Sequence, residues 1–357
     1  MIIYILIAIL MFGSLIFIHE LGHFLTARLF GVTIYEFSIG MGPKLFSWKS
    51  EKNGTAYSLR LLPIGGFVSM AGEDEESDDE GSLQNKKVWQ RMIITAAGSV
   101  SNLLIGFVVM IGLVASSEYL GSTVVSDFAS WATSDEIVTE SGETTAGLQP
   151  GDQIVRINGK RVHVFYDMSY KITRYGTAPL SITVLRDGEQ VELCGIVFPT
   201  QEDQGVLFGR RDFNIEYAEK NLGSVLKNAF YQSVYTVRMV FDSLYDLITG
   251  KYGVEQLSGP IGITEVITNE AQNAIEHKDS SGLWSLFIVL AMNLGCMNLL
   301  PIPALDGGRL VFQIIEAIRG KPLDPKIEGY IHAAGMVLLM GLMLLIAFKD
   351  VFTLVSR

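Results

Sequence analysis

Four long uncharged runs predict a polytopic α-helical membrane protein with four transmembrane helices. A glycine- and proline-punctuated β-prone stretch follows the first run, and an alternating, turn-rich stretch follows the second, so a β-loop and an inserted β-rich domain are predicted as well. Mean hydropathy of +0.33, with 49% hydrophobic and 18% charged residues, is a membrane-protein balance for a chain of 357 residues. A net charge of −11 leaves no basic stripe, which excludes nucleic acid as a partner. Two cysteines can build neither a disulfide framework nor a cysteine-rich metal site, and Cys194 and Cys296 are read as small buried hydrophobes.

The first helix covers residues 2 to about 25, enough to cross a hydrocarbon core of about 30 Å. It lacks a basic leading region and a small-residue cleavage site, so it is read as a retained span and not as a signal peptide. Near its end stand His19, Glu20 and His23. Histidines at i and i+4 rise on one helix face and can reach a single ion. Glu20 between them is placed to take a proton from water that a metal ion has acidified. An ionisable cluster at the end of an apolar span is costly unless paired or metal-bound, which argues against chance spacing.

Residues 33 to 70 are punctuated by Gly40, Gly42, Pro43, Pro63, Gly65 and Gly66 and read as two or three hairpin-like strands, with Asn53-Gly54 as a two-residue turn. The run Glu73-Asp74-Glu75-Glu76-Ser77-Asp78-Asp79-Glu80 reads as a solvated loop. Met92 to Ser117 form the second span, where Gly98, Ser99, Ser101 and Asn102 suit close helix packing as well as they suit a site. Residues 118–216 form the β-rich domain, with strands expected at 181–186 and 190–198. Between 219 and 250, apolar residues at helical spacing predict an amphipathic helix, packed on that domain or lying on the membrane surface. The third span is expected at 283–305, broken at Pro301 and Pro303, and the fourth at 331–348.

Lys and Arg cluster between spans one and two and between spans three and four, which puts both loops in the cytoplasm and the termini and β-rich domain outside. His23 and Asp306 then arrive at the same depth. A helix-capping role is the alternative for Asp306.

On these residues the chain resembles the site-2 proteases, intramembrane zinc metalloproteases, and most closely their bacterial branch with an extracytoplasmic PDZ domain. His19-Glu20-Leu21-Gly22-His23 resembles the family's HExxH, and Asn298-Leu299-Leu300-Pro301-Ile302-Pro303-Ala304-Leu305-Asp306-Gly307 its NxxPxPxLDG. The resemblance implies Zn2+ held by His19, His23 and Asp306, with Glu20 as general base. It implies that Asn293 and Asn298 hold the substrate backbone, with helix-helix hydrogen bonding as their alternative. It makes Gly40-Met41-Gly42-Pro43 and Leu62 to Phe67, with Gly65 and Gly66, a membrane-re-entrant β-loop that contacts substrate, and residues 146–159 a PDZ signature. Ser258-Gly259-Pro260-Ile261-Gly262 matches a segment that precedes the third span. Gly98-Ser99-Val100-Ser101-Asn102 departs from the relatives' Gly-Pro-x-x-Asn.

The expected organisation is therefore 1–117, two transmembrane helices with HExxH and the re-entrant loop; 118–216, the PDZ domain; 217–282, an amphipathic helical region; and 283–357, two transmembrane helices with NxxPxPxLDG. The implied function is cleavage of single-span membrane proteins, of the anti-sigma-factor or remnant-signal-peptide type, in the bacterial plasma membrane. The PDZ domain would bind exposed C-termini or exclude bulky substrates. A silent PDZ scaffold with a structural metal site is the rival reading, weakened by Glu20 and by a ligand set that leaves one position open. A transporter would want internal repeats of hydrophobic segments, which are not seen.

Overall fold

Helix α1 (Ile2–Leu29) is uncharged as far as Ile18, and in lipid, which offers a backbone no partner, such a run satisfies its N–H and C=O groups within a helix. It ends where Gly31 adopts φ +66° and the Val32 N–H bonds back to the Ala27 carbonyl. The computed structural model describes residues 2–73, 77–138, 144–203, 205–251 and 259–356. They divide into two units, Met1–Val109 with Thr236–Arg357, and Met110–Tyr235.

In the first unit, α1 is followed by two long strands, β1 (Ile34–Lys49) and β2 (Ala56–Met70). Each doubles back on itself. Glu36 to Ile39 pair with Ser69 to Gly66 on one side and with Ala56 to Leu59 on the other, while Phe46 to Lys49 pair with Leu59 to Ala56. The reversals fall at Gly40 and Gly42 (φ +85° and +84°) and at Gly65 (φ +90°), a backbone that side chains with a Cβ rarely adopt. A Cβ on Gly40 would lie 2.5 Å from the Leu62 carbonyl oxygen. Glu36 clips the folded ribbon by accepting from Lys44 and Arg60, both at 2.9 Å. The expected two-residue Asn53-Gly54 turn is not what joins the strands. A six-residue loop does, closed by the Ser50 N–H to the Thr55 carbonyl. The tight turn needs positive φ at both central residues, and only Gly54 has it.

Helix α2 (Val88–Ser116) crosses α1 closely: a Cβ on Gly22 would sit 2.4 Å from the Ala97 carbonyl oxygen and from Ser101 Oγ. Among the described residues, four helices are long and apolar enough to span a membrane, Ile3–Leu29, Val88–Ser116, Ser281–Asn298 and Lys326–Phe352.

The second unit holds β3 (Leu120–Phe128), β4 (Glu136–Val138), β5 (Thr144–Ala146), β6 (Gln153–Ile157), β7 (Lys160–Arg161), helix α3 (Phe165–Tyr175), β8 (Leu180–Arg186), β9 (Glu189–Ile196), β10 (Thr200–Asp203), β11 (Val206–Gly209) and β12 (Phe213–Ala218). An antiparallel sheet of order β12-β3-β6-β8-β9, with β7 beside β6, packs one face against α3. Ile154, Ile157, Ile182, Val184 and Ile172 are fully buried there, each stabilising the fold by roughly 1.5–3 kcal/mol. Asp152 closes the Gln149-Pro150-Gly151 turn by accepting the Gln149 N–H and two bonds from Arg186. The expected strands at 181–186 and 190–198 are β8 and β9. Cys194 is exposed on β9, not buried, because it falls on the solvent face of the alternation. Cys296 is buried as expected.

Helix α4 (Leu222–Ile248) is the expected amphipathic helix. Its first half packs on this unit, with Val225, Ala229 and Tyr235 buried and Tyr231 stacked on His163, while Leu226, Phe230 and Val234 stay exposed. Lys220, just before it, donates to the Ala115 and Ser117 carbonyls at the end of α2.

The first unit resumes with α5 (Pro260–His277), α6 (Ser281–Asn298), α7 (Asp306–Arg319) and α8 (Pro325–Ser356). Of the segment Ser258 to Gly262, Ser258 lies outside the described residues. Pro260 opens α5, whose Gly262 N–H is capped by Asp350 of α8 at 3.0 Å. The third span stops at Asn298, not at 305. Prolines at 301 and 303 cannot continue a helix, and residues 299–305 form a non-helical turn before α7, a helix absent from the sequence reading.

Candidate metal centre and active site

His19 and His23 stand one turn apart on α1, both about nine-tenths buried, with their Nε2 atoms 3.2 Å apart. Asp306, the first residue of α7, brings Oδ2 to 3.2 Å from His19 Nε2 and 3.4 Å from His23 Nε2. The three atoms form a nearly equilateral triangle. A tetrahedral zinc site with bonds near 2.0–2.1 Å has ligand-to-ligand edges of about 3.3 Å, so the donor set fits the ion.

The surroundings fit it too. The His23 Nδ1–H donates to the Ile94 carbonyl at 2.8 Å, which leaves Nε2 with its lone pair for a metal. His19 Nδ1 faces the Asn102 amide at 3.3 Å, and Asn102 Oδ1 is buried without a partner. With the amide oxygen on that side, Oδ1 would accept the His19 Nδ1–H and fix the ligand tautomer. Ser99 Oγ donates to Asp306 Oδ2 at 3.3 Å. Gly98 makes the room: a Cβ there would lie 2.3 Å from His23 Nε2 and 2.8 Å from His19 Nε2.

Several chain features bring Asp306 here. Gly307 and Gly308 let α7 start tight against the preceding turn, since a Cβ on Gly307 would lie 2.1 Å from the Leu300 oxygen and one on Gly308 2.5 Å from that of Ile302. Side chains then fasten α7 to its neighbours: Arg309 to Glu73 and Glu316 to Arg91, both at 2.5 Å, and Gln313 to Thr95 at 2.9 Å. Glu73 is thus paired and not part of a solvated loop, while residues 74–76 of the acidic run lie outside the described residues.

Glu20 lines the same cavity, about 220 Å3, with His19, His23, Phe67, Val68 and Asp306. Its carboxylate also meets the Val68 backbone, and a Cβ on Gly66 would lie 3.2 Å from Glu20 Cγ. The last run of β2 therefore passes alongside the general-base candidate. Gly65 turns the chain one residue earlier, with Met41 packed against it. Asn293 is exposed and Asn298 half-buried on α6, and neither lines this cavity.

Sequence reading had left Gly98, Ser99 and Asn102 divided between helix packing and a site. They surround the histidines and Asp306. The backbone carbonyl of Ile94 carries no sequence signal and was not legible.

The family model for peptidase family M50 matches residues 7–342. The zinc metalloprotease RasP of Geobacillus kaustophilus is 31% identical, with 96% of each chain covered. The zinc metalloprotease RasP of Shouchella clausii is 32% identical, with 98% of each covered. The regulator of sigma-W protease RasP of Bacillus subtilis is 30% identical, covering 96% of this chain and 97% of its own.

Proposed function

From the membership of this chain in peptidase family M50, the site-2 proteases, we propose that it is an intramembrane zinc endopeptidase that cuts transmembrane segments of single-span proteins in the bacterial plasma membrane. The observation that carries the reading is the His19 Nε2, His23 Nε2 and Asp306 Oδ2 triangle with Glu20 in the same cavity. These three residues would hold the ion. Zinc, when bound, supplies a Lewis acid that polarises a carbonyl and acidifies water. Glu20 takes the proton of the attacking water and returns it to the leaving amine.

A transmembrane substrate must unwind first, because its carbonyls are already hydrogen-bonded within its own helix. The last run of β2, Gly66 to Met70, pairs with β1 on one side and runs beside Glu20 on the other. An unwound substrate added to that edge would recover backbone hydrogen bonds and lie with its scissile bond beside Glu20. Asn293 and Asn298 would engage the substrate backbone outside the cavity. The far half of the β-loop exposes Met41, Leu45, Phe46, Trp48, Leu61 and Leu62, which supports its entering the membrane as a re-entrant loop.

The β-rich unit is read as a PDZ domain that screens substrates, supported by its Gly147 to Asp152 turn and its antiparallel sheet packed on one helix. The loop charges favour placing it and both termini outside the cytoplasm. The substrates in this reading are of the anti-sigma-factor or remnant-signal-peptide type; the name of the Bacillus subtilis relative, regulator of sigma-W protease, supports the first.

Zinc content and cleavage of a model transmembrane substrate in detergent, compared between the native protein and Glu20→Gln, test the reading. One zinc per chain in both, with cleavage lost in Glu20→Gln, is expected. Cleavage that persists unchanged in Glu20→Gln refutes the catalytic assignment and favours the silent scaffold.

A further inference from the structure

Residues 331–348 of α8 carry a single ionisable side chain, His332, in a run that is otherwise Ala, Gly, Met, Val, Leu, Ile and Phe. An ionisable group in such a span is costly in lipid and calls for a partner inside the protein. His332 has one at the turn before α7: its Nδ1 accepts the Ala304 N–H at 3.0 Å. Its ring also meets Phe312 of α7 edge-on at 5.4 Å.

Ala304 is an unusual residue to hold. It sits at φ +77°, a left-handed conformation that a side chain with a Cβ adopts only where the surroundings impose it. It lies two residues before Asp306. One turn along α8, Gly335 comes so near that a Cβ would lie 2.5 Å from Pro303 Cβ and 2.7 Å from the Pro303 oxygen. The 303–304 backbone is therefore gripped twice by one face of α8, by a close approach at Gly335 and by a hydrogen bond that the Ala304 N–H donates to His332.

We propose that His332 is a positioning residue for the metal centre: by accepting the Ala304 N–H it fixes the left-handed turn that aims Asp306 at His19 and His23. The inference rests on the reading of Asp306 as a ligand. The bond needs an acceptor at Nδ1 and not at Nε2. Asn in place of His puts its amide oxygen near the Nδ1 position, whereas Gln carries its oxygen one carbon further and Phe keeps the ring shape with no acceptor.

The test is zinc retention by the full-length protein in detergent, titrated against a chromophoric chelator, for the native chain and for His332→Asn, His332→Gln, His332→Phe and Asp306→Ala. His332→Phe and His332→Gln are expected to lose about 10- to 100-fold in zinc affinity, and His332→Asn to stay within about threefold of native, the range typical of residues that orient metal ligands. If His332→Phe does not accumulate, the Asn and Gln variants decide alone. Equal retention in those two, or native retention in His332→Phe beside loss in Asp306→Ala, overturns the proposal. Native retention in Asp306→Ala overturns the ligand reading itself, a distinct result.

Discussion

Gly98→Ala tests the metal centre with one methyl group. The added Cβ would stand 2.3 Å from His23 Nε2 and 2.8 Å from His19 Nε2 and Cε1, where ordinary contact begins near 3.4 Å. His23 must retreat by about 1 Å or α2 must move away, and α2 is held to α1 at Gly22 by contacts with no slack. Metal-ligand bonds tolerate displacements of only about 0.2 Å, so the triangle of donors cannot survive the shift. A misplacement of about 1 Å at a reacting centre costs about 10²-fold. We therefore expect Gly98→Ala to fold, to lose zinc at chelator concentrations the native protein withstands, and to lose at least about 10²-fold in cleavage. Gly112→Ala on the same helix is the control: a Cβ there meets nothing within 4 Å, and the change should be neutral or mildly stabilising. Metal content by elemental analysis, cleavage of a labelled transmembrane substrate and circular dichroism make the comparison. A Gly98→Ala protein with one zinc per chain and native cleavage would refute the reasoning.

Three further outcomes follow from other contacts. Asn102→Leu should weaken zinc binding by about 10- to 100-fold, while Asn102→Asp, which keeps an acceptor for the His19 Nδ1–H, should hold it; chelator titration distinguishes them. Burial raises the Glu36 carboxyl, but the bonds from Lys44, Arg60 and Ser58 prevail and hold it down at about 2. A depressed folded-state value gives stability that is complete above the unfolded carboxylate range and is lost only as pH falls toward 2. Glu36→Gln should therefore speed hydrogen exchange of residues 56–60 to the same extent at pH 6 and pH 8. Asp152→Ala removes a buried carboxylate that holds Arg186 at 2.7 Å and the Gln149 N–H, but leaves Arg186 partly exposed and bonded to the Gly147 carbonyl, so the loss is about 1–3 kcal/mol. Thermal unfolding followed by protease nicking of the 118–216 region should come at least ~4 °C earlier, with zinc retention at room temperature unchanged.

The elements legible in the sequence are those whose physics is local. Lipid requires each spanning helix to be apolar over its own length, so α1, α2, α6 and α8 announce themselves, and His19 with His23 needs only a 3.6-residue repeat to be recognised. Asp306 was legible through its motif and through the loop charges that set it at the depth of His23. What escaped depends on contacts between distant segments. Prolines at 301 and 303 signalled a break, but α7 beyond it shows an amphipathic pattern with charges, and only its ties to Glu73, Arg91 and Thr95 explain why it packs there. The four-run path of β1 and β2 was compressed to two or three strands, because a ribbon that folds back on itself leaves the same alternation as a plain hairpin.

The second span is the instructive case. Gly98, Ser99 and Asn102 read equally as packing and as site residues, because small and polar side chains serve helix contacts and sites alike. Geometry separates the two roles. A packing glycine meets backbone, as Gly22 meets the Ala97 carbonyl, whereas Gly98 meets the very nitrogens that would bind the ion. A packing asparagine bonds to a helix backbone or another amide, whereas Asn102 puts its amide 3.3 Å from His19 Nδ1, on the ring whose Nε2 faces Asp306. Asn102 and the triangle of donors thus meet on the same imidazole, from two different helices and through its two different nitrogens.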